Sequence, residues 1–160
     1  MPGEDVSPRR PKESAMPVSA PEGLVALSTR DSLRMLASHE VGRVVYTDGA
    51  LPAVTPVNYA FDDGHVLLRT AEGSRLAAKT PGTIVAFEVD EVDRTARRGW
   101  SVVITGPCRL VDDEVKLAHI STLRLNPWAP GERNVVLEIA ATIVTGYRIA
   151  ESDPLSGGVG

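Results

Sequence analysis

A mainly β fold, a small antiparallel barrel or sandwich with a few short helices, is predicted by three features of this 160-residue chain. Six or so strand-like runs are separated by closely spaced turn signals, among them Asp48-Gly49 and Asp62-Asp63-Gly64. Segments with helical spacing are few and short, and do not alternate with the strands as parallel βαβ units require. The single cysteine, Cys108, excludes an intramolecular disulfide framework and a cysteine-rich zinc module. A chain of this length buries ~70% of its unfolded surface and folds without such staples. Of the two architectures, the small barrel is the expected one.

The elements follow in chain order. Residues 1–23 carry Pro2, Pro8, Pro11, Pro17 and Pro21 among scattered charges, and are expected to be a disordered tail. The folded unit is then 24–150, and 151–160, rich in Gly and Ser, is expected to be a flexible C-terminal tail. Ser28 is a plausible N-cap, with Asp31 in the first turn where the helix dipole favours a carboxylate. Leu33, Leu36 and Ala37 give that helix an apolar face, and Gly42 ends the pattern. Strands are predicted over 43–47, 51–61, 65–70, 83–90, 100–111 and 134–149, the last long enough to bend or split near Ala140-Ala141. Short helices are predicted over 74–79 and 112–125, the latter with apolar Val115, Leu117, Ile120 and Leu123.

Composition narrows the function classes. Seventeen basic and 21 acidic residues leave a net charge of −4, which speaks against a polyanion as the main partner. No apolar run approaches the ~18 residues of a membrane span, and the first residues lack the apolar core of a secretory signal. A soluble, cytoplasmic protein is expected. There is no P-loop, HExxH, GxSxG or post-strand GxGxxG. His39, His65 and His119 share no ligand-like spacing, so they read as surface or structural groups, and Cys108 as a small buried residue.

Three stretches remain. In the first, Thr70 and Ser74 flank Gly73 where a strand gives way to a helix, with Arg75 next and Lys79 one turn on. Hydroxyls, a close-approach glycine and a forked cation suit a phosphate; alternatively, Ser74 merely caps a short helix. In the second, Pro52 and Pro56 interrupt one strand, which therefore has a free edge or a bulge. Asn58 beside them offers a donor and an acceptor to a planar heterocycle. In the third, Glu88 and Asp90 share a face with Ile84 and Ala86, opposite Val85, Phe87 and Val89. The later acids of 88–93 read as a solvated loop, favoured over a cation site, and Trp100-Ser101 follow, with core packing or a subunit contact open to the tryptophan.

Taken in order, VGRVVYTDGALPAVTPVNYAFDDGHVLLRTAEGSRLA, VAFEVDEVD, GWSVVITGPCRLV and the closing VTGYRI resemble the pyridoxamine 5'-phosphate oxidase-like proteins of the flavin-binding split-barrel fold, in their short bacterial single-domain branch. The resemblance spans about residues 27–149. It implies a six-stranded antiparallel split β-barrel with a few short accessory helices, forming a homodimer with FMN in grooves between subunits. It further implies that Pro56, Val57, Asn58 and Tyr59 line the isoalloxazine and that Thr70, Ser74 and Arg75 hold the ribityl phosphate. Glu88, Trp100 and Ser101 would lie near the flavin or the dimer seam. Many relatives carry Lys at the position of Arg75, a change that keeps phosphate binding. Vitamin B6 oxidases extend further at the C-terminus with an arginine and a histidine that grip their substrate; neither has a counterpart here, so another small molecule is expected. Relatives also use FAD or the deazaflavin F420 in the same groove. The implied function is an FMN-dependent oxidoreductase acting by hydride transfer; a non-catalytic flavin-binding or sensor module is the alternative.

Overall fold

The computed structural model describes residues 19–151; positions 1–18 and 152–160, which hold most of the two expected tails, lie outside the described residues. Eight strands and three helices follow one another as β1 (Leu24–Ala26), α1 (Thr29–Ala37), β2 (Val41–Asp48), β3 (Leu51–Asp62), β4 (His65–Thr70), α2 (Arg75–Lys79), β5 (Ile84–Asp93), β6 (Arg98–Leu110), α3 (Glu114–Ser121), β7 (Val135–Ala140) and β8 (Ile143–Ile149). The strand pairings among the described residues are antiparallel, and six strands close a ring in the order β6-β5-β2-β3-β4-β7-β6. This is the expected six-stranded antiparallel barrel. β8 extends the sheet outside the ring, paired to β6 at Trp100–Thr105, and β1 pairs with the far side of β8.

Local chemistry sets the corners. Asp62↔His65 pairing leaves Asp63 and Gly64 as a two-residue turn with both φ positive, 47° and 76°, as a type I′ hairpin requires. The run expected over 134–149 divides at Ala141-Thr142 into β7 and β8. β6 serves both sheets: its first part pairs with β5 and β8, and Cys108–Leu110 turn to β7 and close the ring.

The barrel interior holds Val44, Phe87, Val102, Ile104, Leu68 and Ile139, each essentially inaccessible, and burial of each such side chain contributes about 1.5–3 kcal/mol. Leu36 on α1 joins this core where β2 begins, and Leu76 on α2 joins it near the end where β2 stops, since Arg75 and Lys79 reach Asp48. α3 covers a second cluster of Leu67, Val111, Ile120, Leu125 and Val136.

Several local expectations need correction. Gly42 does not end α1; it lies inside β2, where a Cβ would stand 2.3 Å from the Phe87 ring. Ser38 is the helix's C-cap instead. Ala37 is exposed, and Ser32 is buried along with Leu36, its side chain against Gly146 of β8. α3 is shorter than the apolar spacing of 112–125 implies: Asp113 caps it, accepting from the Lys116 N–H at 2.8 Å, and Thr122 closes it. Among the described residues no helix is long and apolar enough to cross a membrane.

Candidate functional site

The ten residues singled out in the sequence fall into four neighbourhoods on this scaffold. Thr70 ends β4, almost fully buried, and Ser74 caps α2 by accepting from the Ala77 N–H at 3.1 Å. Their hydroxyl oxygens are 2.8 Å apart. Arg75 and Lys79 leave the same helix and both approach the Asp48 carboxylate of β2, at 3.4 and 3.6 Å. Two hydroxyls and two cations therefore gather at one end of the barrel, as a phosphate requires.

Pro56, Val57 and Asn58 lie on the β3 segment that pairs with β2 on one side only, and Tyr59 is where β4 joins β3. The prolines thus sit on a free edge, as expected. Pro56 and Asn58 face out of the barrel, while Val57 and Tyr59 face its interior. The Tyr59 hydroxyl donates to the Leu36 carbonyl, and burial pushes its pKa well above the ordinary phenol value, so it is a fixed structural donor and not an acid. The side-chain carbonyl of Asn58 accepts from the Trp128 N–H at 2.9 Å, which leaves its NH2 group as the donor it can offer a ligand. Glu40, Asn58, Tyr59, Arg124 and Asn126 line a cleft of about 200 Å³ there.

Glu88 is on the outer face, opposite Arg43, which is in turn opposite Pro56. Arg43 donates to Glu88 at 2.8 Å and also approaches Asp90 at 3.4 Å. The hydrogen bond and charge of Glu88, then the charge of Asp90, raise the arginine's pKa further. The carboxylates therefore do not enter the core; Val85, Phe87 and Val89 do. Trp100 and Ser101 line a separate groove of about 180 Å³ with Asp90, Gly99, Tyr147 and Arg148, and Trp100 packs edge-on against His39.

Within one copy these neighbourhoods do not converge. Asp48 lies six residues along β2 from Gly42, the partner of Val57, so about 20 Å of strand separates the Pro56–Asn58 edge from the cation pair. Sequence reasoning missed Arg43, Asp48 and the cleft residues Glu40 and Arg124, which the fold brings in from other elements. The fold also brings the Trp128 backbone N–H to the Asn58 side chain. The histidines take local partners: His39 meets Glu91, His119 meets Asp62, and His65 meets the Asp63 carbonyl. Among the described residues no group of three or more potential ligands could hold a metal ion.

A closed six-stranded ring with helices α1 and α2 packed into its core and a free-edged proline strand is the architecture of the flavin-binding split-barrel proteins. The chain belongs to the pyridoxamine 5'-phosphate oxidase family, whose pattern matches residues 28–152. An uncharacterized protein of Mycobacterium tuberculosis is 42% identical over 144 residues, spanning 84% of this chain and 91% of that protein. A candidate pyridoxamine 5'-phosphate oxidase of Corynebacterium glutamicum shares the fold with a TM-score of 0.72 at 30% identity, covering 84% of this chain and 99% of that one. An FAD-binding protein of Mycobacterium smegmatis does so with a TM-score of 0.68 at 32% identity, covering 78% of this chain and 98% of that one.

Proposed function

We propose that the chain is a flavin-dependent oxidoreductase, holding FMN in a groove between two copies and transferring hydride to or from a small molecule. The observation that carries this reading is the Thr70–Ser74 hydroxyl pair with Arg75 and Lys79 on the same turn and helix. These residues fit a phosphate, and the free edge at Pro56–Asn58 fits the rim of a planar ring. When bound, the flavin supplies the redox chemistry, and the chain binds and orients it. Thr70, Ser74 and Arg75 would fix the phosphate end. Pro56, Val57 and the Asn58 NH2 would set the ring's position, with the Asn58 amide held in orientation by the Trp128 N–H.

The outer sheet face supports the second copy. Val54, Val45, Ala86, Thr105 and Ile143 are cross-strand neighbours in one row over five strands, with Val54 58% and Ile143 59% exposed. An open apolar stripe of this kind is covered in a stable protein, and a self-complementary partner covers it most simply. Pro56, Arg43 and Glu88 form the adjacent part of the next row, so a dimer would enclose them in its seam, with Trp100 and Ser101 beyond.

The test is anaerobic addition of NADH or NADPH to the FMN-loaded protein. Bleaching of the flavin band supports an oxidoreductase; flavin that binds tightly but is reduced by neither nicotinamide nor a quinol favours a carrier or sensor. FAD in the same groove is the second reading, favoured by the name of the Mycobacterium smegmatis relative. F420, which also presents a phosphate and a tricyclic ring, is separated from both by direct titration.

A further inference from the structure

Asp48 occupies the last position of β2, directly before the Gly49 turn, and is brought to α2 from a different part of the chain. Its two oxygens divide the cations between them: Oδ1 faces the Lys79 ammonium at 3.6 Å and Oδ2 the Arg75 guanidinium at 3.4 Å. The carboxylate is the sheltered member, 22% exposed against 78% for Arg75 and 48% for Lys79. Both contacts are longer than a good charge-assisted hydrogen bond, so either cation can re-aim without breaking one. The formal charge offered to an incoming anion is thus +1, not the +2 that Arg75 and Lys79 alone would present.

That difference matters for how tightly a phosphate is bound. A phosphate monoester carries about −1.5 to −2 at neutral pH, as phosphoserine does. The pyrophosphate of FAD carries a similar total, one charge on each of its two phosphoryl groups. We propose that Asp48 is a built-in counter-ion that sets cofactor affinity: it draws Arg75 and Lys79 toward itself in the absence of phosphate and weakens their grip on the phosphate of a bound flavin. This rests on the reading that Arg75 binds the phosphate. A unit charge about 5 Å away in water-like surroundings changes the binding of one negative charge about fourfold and of two about fifteenfold, before salt screening.

The experiment is a fluorescence titration of wild type, Asp48→Asn, Asp48→Glu and Arg75→Ala with FMN, FAD and riboflavin, the last as a phosphate-free probe. Asp48→Asn should tighten FMN about tenfold, tighten FAD several-fold and leave riboflavin unchanged; Asp48→Glu should keep wild-type values. Unchanged or weaker FMN binding by Asp48→Asn, while Arg75→Ala loses FMN, overturns the role of Asp48 and leaves the phosphate site standing. Equal binding of FMN and riboflavin by wild type, unaltered in Arg75→Ala, removes the phosphate site and the counter-ion with it. Asp48→Ser carries the same expectations should Asp48→Asn not fold.

Discussion

Gly106 is where barrel closure is most sharply testable. It pairs with Val85 of β5, between the last β6–β8 partner, Thr105, and the first β6–β7 partner, Cys108. A Cβ at this position would stand 1.9 Å from the Ala140 carbonyl oxygen and 2.9 Å from the Thr142 hydroxyl. The obstacle is backbone at the β7–β8 corner, so the corner must retreat by more than 1 Å, about the difference from ordinary van der Waals contact. Overpacking costs about 1–3 kcal/mol, and a blocked main chain places Gly106→Ala near the top, about 3 kcal/mol. For a folded unit of this size, about 4 °C of melting temperature accompanies each kcal/mol, so a fall of about 12 °C is expected. Gly64→Ala is the control: nothing lies within 4 Å of its Cβ position, and only its φ of 76° opposes the side chain, for about 1 kcal/mol. Thermal melts of the two variants read the difference. A Gly106→Ala protein that melts within 3 °C of wild type, an interval of about 1 kcal/mol, would refute the closure of β6 onto β7 described here.

Further outcomes follow from single groups. Arg75→Ala should weaken FMN by about 1.5 kcal/mol, near tenfold, the low end for a charged hydrogen bond because the side chain is largely exposed; isothermal titration measures it. Tyr59→Phe keeps the ring packed on Phe87 but removes the donor to the Leu36 carbonyl, lowering stability in urea by about 1 kcal/mol. Burial raises the pKa of both Cys108 and Tyr59, so each favours its neutral form in the folded chain. Their contribution is therefore complete below the ordinary values of 9.0 and 10.0 and declines as pH rises beyond them. Melting temperatures in Cys108→Ala should lose the earlier part of that alkaline decline; an identical pH profile would show that the thiol does not contribute. Sedimentation at micromolar concentration should give a dimer, and Val54→Lys, which places a charge in the apolar row, should shift it toward monomer.

What was legible in the sequence is what short-range chemistry fixes. Asp62-Asp63-Gly64 and Asp48-Gly49 mark their hairpins because only certain residues take those backbone angles. The 65–70 strand agrees residue for residue, and the Thr70–Ser74 spacing places both hydroxyls together because a strand end and a helix cap are separated by three residues. Illegible features depend on distant partners. β1 is three residues long and exists through its pairing with β8, more than a hundred residues away in sequence. Gly42 reads as a helix stop until Phe87 is found filling the space above it. Ser32 is buried because Gly146 lets the backbone of β8 come close. Asp48 is an ordinary turn-flanking acid until α2 folds back over it.

The most direct test of the central proposal is the visible absorbance spectrum of the purified protein, before and after incubation with FMN and desalting. A retained visible flavin band, at close to one flavin per chain, is the expected result for a cofactor that supplies the chemistry. A protein that stays colourless after FMN, and equally after FAD and F420, would contradict the flavin reading and leave a split barrel with some other ligand.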